Sequence, residues 1–217
     1  MPELTADLLA DLPKNGPTDP IEFYRRPFVG YIFRERINMG FRLLGERRFD
    51  RVLEVGFGAG AVLLALAPTA RELYGIDLDA NRDVTNAILQ RRGVQADLRN
   101  GSVYELPYEE RFFDLVVSYS VFEHLHEYAR ALQQVARVLR PGGHFLLGMP
   151  AVNRAMEWGF RAIGFKGIAH HHVTTPSDVA SAFATAGLSV VRENRLGVRR
   201  VPGAAVYYTW LLERTAR

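Results

Sequence analysis

Arg51-Val-Leu-Glu-Val-Gly-Phe-Gly-Ala-Gly60 decides the reading of this chain. Val52, Leu53 and Val55 make the short, nearly unbroken apolar run that a strand buried on both faces requires. Glycine then stands at alternate positions, Gly56, Gly58 and Gly60, and Ala61-Val-Leu-Leu-Ala-Leu-Ala67 follows at once with a helical pattern. Strand, tight glycine turn and helix open a nucleotide-binding βαβ unit. Glycine suits such a turn because it reaches positive φ at little steric cost, and because the missing Cβ lets a ligand lie against the backbone.

Two cofactor readings fit the turn. Gly56-x-Gly58-x-x-Ala61 matches the dinucleotide fingerprint of an NAD-dependent oxidoreductase, which tolerates alanine at its third position. Glu54-x-Gly56-x-Gly58-x-Gly60, with an acid two places before the first glycine, resembles motif I of the class I S-adenosylmethionine (SAM) methyltransferases. The glycines by themselves serve either cofactor. Downstream, Glu72-Leu-Tyr-Gly-Ile76 reads as a second strand ending in Asp77, about twenty residues past the turn, where a βαβ site needs an acid for ribose hydroxyls. That acid speaks against a 2′-phosphate. Asp79 is expected to cap a helix from Ala80 to Arg92.

Strands and helices continue to alternate. Val94 to Asn100 and Phe112 to Val117 read as strands three and four, and Phe145 to Met149 as strand five. Between the last two lies a helix over Phe122 to Leu139, with Leu125, Ala129, Leu132, Val135, Ala136 and Leu139 at helical spacing and Arg140-Pro-Gly-Gly143 as its stop. Pro176 to Ala186 reads as a helix capped by Thr175 or Ser177, and Gly187 to Arg192 and Ala205 to Glu213 as two last strands. This order argues an α/β, doubly wound sheet.

Here the resemblance widens. Glu105-Leu-Pro-Tyr108, Phe113-Asp-Leu-Val-Val-Ser118, Val121-Phe-Glu-His-Leu125 and Val138-Leu-Arg-Pro-Gly-Gly-His-Phe-Leu147 look like the second half of the small-molecule methyltransferase core shared by the ubiquinone and menaquinone biosynthesis enzymes. It covers about Phe49 to Pro150, with a weaker echo in Thr175 to Arg195, and it displaces the oxidoreductase reading. It implies one Rossmann-like, mostly parallel domain over residues 49–217 with a C-terminal antiparallel hairpin, preceded over residues 1–48 by an arm and lid helices. It implies SAM as donor and S-adenosylhomocysteine as product. Glu54 would hold the methionine amino end, and Gly56, Gly58 and Gly60 would admit the cofactor to the backbone. Asp77 would take the ribose, and Leu78 would lie against adenine. Phe57 and Ser118 fall in the same contact set. Relatives carry Gly-Asp-Ala where this chain has Gly101-Ser102-Val103, so Ser102 and the Val103 N–H would serve adenine without an ionised partner.

Composition narrows the rest. A chain of 217 residues, 48% hydrophobic and 24% charged, is ordinary for one globular domain. It has no cysteine, which excludes disulfides, thiolate nucleophiles and cysteine metal sites, and no metal ligand set is assigned. The net charge of +3 comes from scattered arginines, with lysine only at Lys14 and Lys166, so nucleic acid is not expected as a partner. The absence of an Asn-Pro-Pro-Tyr motif after strand four, where Ser118-Tyr-Ser-Val stands, points the same way. The start of the chain does not resemble a signal peptide and no apolar run suits a membrane span, so a cytoplasmic protein is expected.

Met1 to Pro20, with four prolines, reads as a loose arm. Ile21 to Leu44 is helical, broken by Pro27 and Gly40, with Arg25, Arg26, Arg34, Glu35, Arg36 and Arg42 on its polar side. These helices are expected to pack on the sheet edge and to close over the site, or to pair two copies as a homodimer. The acceptor is expected to be a small apolar or aromatic molecule, suggested by the aromatic helices and by Trp158 to Phe165. Transfer from a sulfonium needs alignment above all, and a base only where the acceptor must lose a proton. His124, at the end of strand four, and His171 and His172 of the triplet His170 to His172 are the candidates, and they favour oxygen as the methylated atom. A non-catalytic SAM-binding module would show the same cofactor residues.

Overall fold

The computed structural model describes residues 1–16, 21–26, 29–151, 173–197 and 205–215. Strand β1, Phe49–Val55, carries the apolar run, and Val52, Leu53 and Val55 are buried. It pairs in parallel with β2 (Ala70–Asp77) on one side and with β4 (Phe113–Tyr119) on the other. β3 (Asp97–Asn100) extends the sheet past β2, and β5 (Leu139–Pro150) extends it past β4. β7 (Ala205–Arg214) then lies antiparallel between β5 and β6 (Leu188–Gly197). Among the described residues the order is β3-β2-β1-β4-β5-β7-β6. This is the α/β, doubly wound sheet with a C-terminal antiparallel hairpin that the sequence implied.

Alternation along the strands feeds two cores. Val52, Leu115, Val117 and Leu146 face helices α3 (Val29–Leu44), α4 (Ala61–Leu66) and α5 (Arg82–Arg91), with the N-terminal segment beside them. Leu53, Val55, Val116 and Leu147 face α6 (Tyr128–Val138) and α7 (Pro176–Ser181). Ala131, Leu132, Val135 and Ala136 supply the buried stripe of α6 at helical spacing.

Several boundaries differ from the sequence reading, each for a local reason. The N-terminal arm is not loose: Leu4, Leu9 and Leu12 are buried, α1 (Ala6–Leu9) is capped by Thr5, and Leu4 and Asn38 exchange two hydrogen bonds. Gly40 does not break α3, which packs across β5, β7 and β6. A Cβ there would stand 2.2 Å from the Tyr119 hydroxyl, so glycine lets the helix seat on the sheet. Short helix α2 (Ile21–Tyr24) precedes α3.

Asn81, not Asp79, caps α5, accepting from the Asp83 and Val84 N–H groups. The reason is Asp77, whose Oδ1 takes the Asp79 and Ala80 N–H groups and delays the helix. The expected helix from Phe122 is a 3₁₀ turn, Phe122–His124, and α6 starts only at Tyr128, because Leu125 is extended. β5 begins directly after α6, with Arg140 to Gly143 accommodated as an irregularity in its pairing with β4. α7 ends at Ser181, and its start is fixed by a capping box between Thr175 and Asp178. No helix of the described residues is long and apolar enough to cross a membrane.

Candidate functional site

From β1 the chain crosses to β2 and β3 on one side and then returns to β4 on the other, so the order reverses between β1 and β4. Open α/β sheets bind ligands at the carboxyl ends of the strands flanking such a reversal. The glycine turn sits there. Gly56, Gly58 and Gly60 take φ of +85°, +47° and +84°, the left-handed region that favours glycine. At Gly56 a Cβ would also come within 2.4 Å of Val121, so the turn lies directly against the chain leaving β4.

Glu54 precedes the turn and is only 3% exposed. Its Oε2 has no hydrogen-bond partner among the described residues. Burial, and then the Asp77 charge, hold its proton well above the ordinary glutamate range, and the Leu63 backbone N–H opposes them. Asp77 ends β2, with Oδ2 accepting from the Gly58 N–H at 2.9 Å. Its two oxygens keep further lone pairs for hydroxyl donors.

The sequence-read adenine side assembles around Asp77. The Gly101 N–H donates to the Asp77 carbonyl, and Asn100 spans the Asp77 and Ala80 carbonyls, so the end of β3 is tied to the end of β2. Leu78 is 68% exposed beside them, a large apolar side chain left on the rim. The Ser102 hydroxyl accepts from the Tyr104 N–H, and Val103 is buried. Phe57 and Ser118 turn inward instead. The Phe57 ring packs over Gly75, and the fully buried Ser118 hydroxyl donates to the Val55 carbonyl at 3.1 Å.

The N-terminal segment closes on the same turn. Asn15 is buried, donates to the Gly58 carbonyl, the Asn81 carbonyl and the Thr85 hydroxyl, and accepts from the Asn81 N–H. No sequence signal marked Asn15.

At the end of β4, Ser120 takes φ of +57°, uncommon for a residue with a side chain, and its hydroxyl lies 3.1 Å from that of Tyr207 on β7. Glu123 is 1% exposed, and burial pushes its carboxyl up to about 8. His124 is partly exposed, with Nε2 3.9 Å from Glu123 Oε1. His171 and His172 lie outside the described residues, as does the stretch Trp158 to Phe165. The Val173 N–H donates to the Glu123 carbonyl at 2.8 Å.

Sequence reading put Arg36 on the polar face of its helix. The structure turns it inward over the rings of Phe33 at 4.4 Å, Tyr24 at 5.4 Å and Tyr207 at 5.4 Å, donating to the Tyr24 hydroxyl. A separate groove of about 270 Å³ opens at the opposite, amino end of β1 and β4, lined by Arg48, Asp50, Arg71, Asp114 and Arg140 among others. Asp114 there accepts from the Arg51 N–H and pairs with Arg140, which gives it a structural role.

Comparison with known proteins follows this geometry. Residues 53–147 match the family model described as a methyltransferase domain. A protein of Mycolicibacterium smegmatis, named a probable S-adenosylmethionine-dependent methyltransferase, is 34% identical over 81% of this chain, which spans 65% of that relative's length. The ubiquinone biosynthesis O-methyltransferase of Maricaulis maris is 28% identical over 79% of this chain and 72% of its own. The fold is shared with the N-methyltransferase NodS of Bradyrhizobium japonicum, solved with S-adenosylhomocysteine, at a TM-score of 0.68 and 22% identity, covering 97% of each chain.

Proposed function

We propose that the chain is a class I S-adenosylmethionine-dependent methyltransferase that moves a methyl group to an oxygen of a small apolar or aromatic acceptor, a reading supported by the methyltransferase-domain match over residues 53–147 and by the Mycolicibacterium smegmatis relative. The observation that carries the reading is Glu54: a buried carboxyl group with an unpartnered oxygen, two residues before the first left-handed glycine of the turn. An unpaired buried charge is costly, and a cationic group is what such an oxygen accommodates. The methionine ammonium of SAM fits it. The residues present therefore suit the cofactor, although its adenine would be met without a carboxylate at Ser102.

In this reading Glu54 takes the ammonium, Asp77 the ribose hydroxyls, and Leu78, Ser102 and the Val103 N–H the adenine. Gly56, Gly58 and Gly60 leave the backbone open to approach. When bound, SAM supplies a methyl group already activated on a sulfonium. The chain's own work is then alignment of the acceptor and exclusion of water, and alignment of this kind contributes about 7–11 kcal/mol in well-ordered systems. The helices before β1 act as the lid, with Asn15 latching the arm to the turn. His124 stands at the edge where an acceptor proton would leave. Oxygen as the methylated atom is supported by those histidines and by the name of the Maricaulis relative.

The test is incubation of the full chain with methyl-deuterated SAM and an extract of the source cells, followed by mass spectrometry. A small molecule carrying the label on oxygen is the expected result. Label on a protein or RNA overturns the acceptor class. Absence of label, with S-adenosylhomocysteine still binding, favours a non-catalytic SAM-binding module.

A further inference from the structure

Two buried groups of opposite character lie unused at the carboxyl end of β4. Arg36 Nε is a donor shielded from solvent, and Glu123 Oε2 is an acceptor equally shielded; neither has a hydrogen-bond partner among the described residues. Their charges act on one another, yet no ion pair joins them. They come from α3 and from the turn after β4, and the phenols of Tyr24 and Tyr207 stand around them. The cluster adjoins the cofactor turn twice. Val121, two residues before Glu123, packs on Gly56, and the Tyr119 hydroxyl feels both Glu54 and the group of Arg36, Tyr24 and Tyr207.

A buried donor and a buried acceptor left unpaired are each expensive, costing their full desolvation, and here the Arg36 charge acts on Glu123. One group satisfies both: a hydroxyl, whose oxygen accepts from Arg36 and whose hydrogen goes to Glu123. A carboxylate would meet Arg36 well but would match Glu123 only while that side chain keeps its proton. A hydroxyl matches Glu123 in either protonation state. The guanidinium is itself set among the rings of Phe33, Tyr24 and Tyr207, and these aromatic surroundings suit an acceptor whose hydroxyl sits on a flat, conjugated frame.

We propose that Arg36 and Glu123 form the docking point for the reacting hydroxyl of a phenolic or enolic acceptor, with Glu123 as the base that takes its proton. This rests on the methyl-transfer reading. In the step, the acceptor O–H bond breaks and its proton passes to Glu123 Oε2. The oxygen's electron pair forms the new bond to the methyl carbon, and the carbon–sulfur pair stays with the donor's sulfur. Arg36 stabilises the negative charge that develops on oxygen. Among the described residues, the titratable groups that act on Glu123 are Arg36 from α3, Tyr207 from β7 and its neighbour His124. His124, partly open to solvent, lies where the proton can leave.

The experiment titrates phenol, and separately benzoate, into the full chain saturated with S-adenosylhomocysteine, using native protein, Glu123→Gln and Arg36→Gln. Phenol should bind the native chain, and each substitution should weaken it by roughly 10- to 100-fold, with S-adenosylhomocysteine affinity unchanged as the control for folding. Methyl transfer should rise with pH towards about 8 in the native enzyme, where Glu123 ionises, and be slow and flat in Glu123→Gln. A measurement free of substitution uses isotope-labelled glutamate carboxyls, where phenol should move the Glu123 resonance by NMR. Phenol binding indifferent to both variants, a Glu123 resonance that phenol leaves in place, or benzoate displacing phenol, overturns this inference while leaving methyl transfer intact. Failure of the native chain to bind S-adenosylhomocysteine overturns both.

Discussion

Glu54 carries a carboxylate that burial and the Asp77 charge both disfavour, with one N–H from Leu63 to oppose them. A ligand ammonium reverses that balance, so cofactor binding should expel the proton that Glu54 retains. S-adenosylhomocysteine affinity should therefore strengthen as pH rises, and heats of binding should depend on the buffer's own ionisation heat. Glu54→Gln should weaken binding by roughly 10- to 100-fold and abolish the buffer dependence; a buffer-independent native enzyme would contradict the assignment. Asp77→Ala should also weaken binding, and full affinity in that variant would remove Asp77 from the ribose. On the acceptor side, Glu123→Gln should reduce turnover by about 10²–10⁴-fold, the range of general-base catalysis, and His124→Ala by less. A larger loss in His124→Ala than in Glu123→Gln would assign the proton to His124 instead. These residues were not equally legible. Glu54, the glycines and Asp77 are named by spacing around one turn, so a single sequence carries them. Arg36, Glu123 and Tyr207 meet only because α3, the turn after β4 and β7 converge, and helical patterning marked Arg36 as a surface residue. Phe57 and Ser118 stand at the right sequence positions yet point into the core.

Helix α3 shows how one small residue positions an element. Gly40 lies where α3 rests on Tyr119 and Thr209, with a hypothetical Cβ 2.2 Å from the Tyr119 hydroxyl. Gly40→Ala should raise helix propensity by about 1 kcal/mol but overpack this contact by about 1–3 kcal/mol. The net change in denaturant unfolding should be destabilising. Adding Tyr119→Phe should restore part of the loss, because it removes the atom in the way; additive losses would contradict the packing argument. The sequence reading took Gly40 for a helix breaker, since local rules see its flexibility and not the sheet beneath it. The arm was misread likewise. Its prolines suggested looseness, whereas Leu4, Leu9, Leu12 and Asn15 find partners far along the chain. Asn15→Ala should free the arm from the Gly58 carbonyl, seen as faster amide exchange over residues 1–16. Unchanged exchange would show that the leucines hold the arm alone.

Across the whole molecule, buried carboxyls tie stability to pH. Glu123 and Glu54 have folded-state values above their unfolded ones, so their contribution is full at acid pH and is lost as pH rises, for Glu123 through about 8. Without ligand, the melting temperature of the native chain should fall over that interval relative to that of Glu123→Gln, which keeps a neutral side chain throughout. Parallel curves would contradict the burial of an ionisable Glu123. At this scale the fold was legible, because alternating buried strands and amphipathic helices repeat one unit, and each unit is local in sequence. The two strands of the hairpin were legible too, but their insertion order, with β7 between β5 and β6, follows from pairing that a pattern of residues does not state. The most direct test of the central claim is calorimetric titration of the full chain with S-adenosylhomocysteine and, separately, with NADH. Saturable binding of S-adenosylhomocysteine and no binding of NADH is the expected result; saturable binding of NADH with no response to S-adenosylhomocysteine would contradict it and return the glycine turn to a dinucleotide.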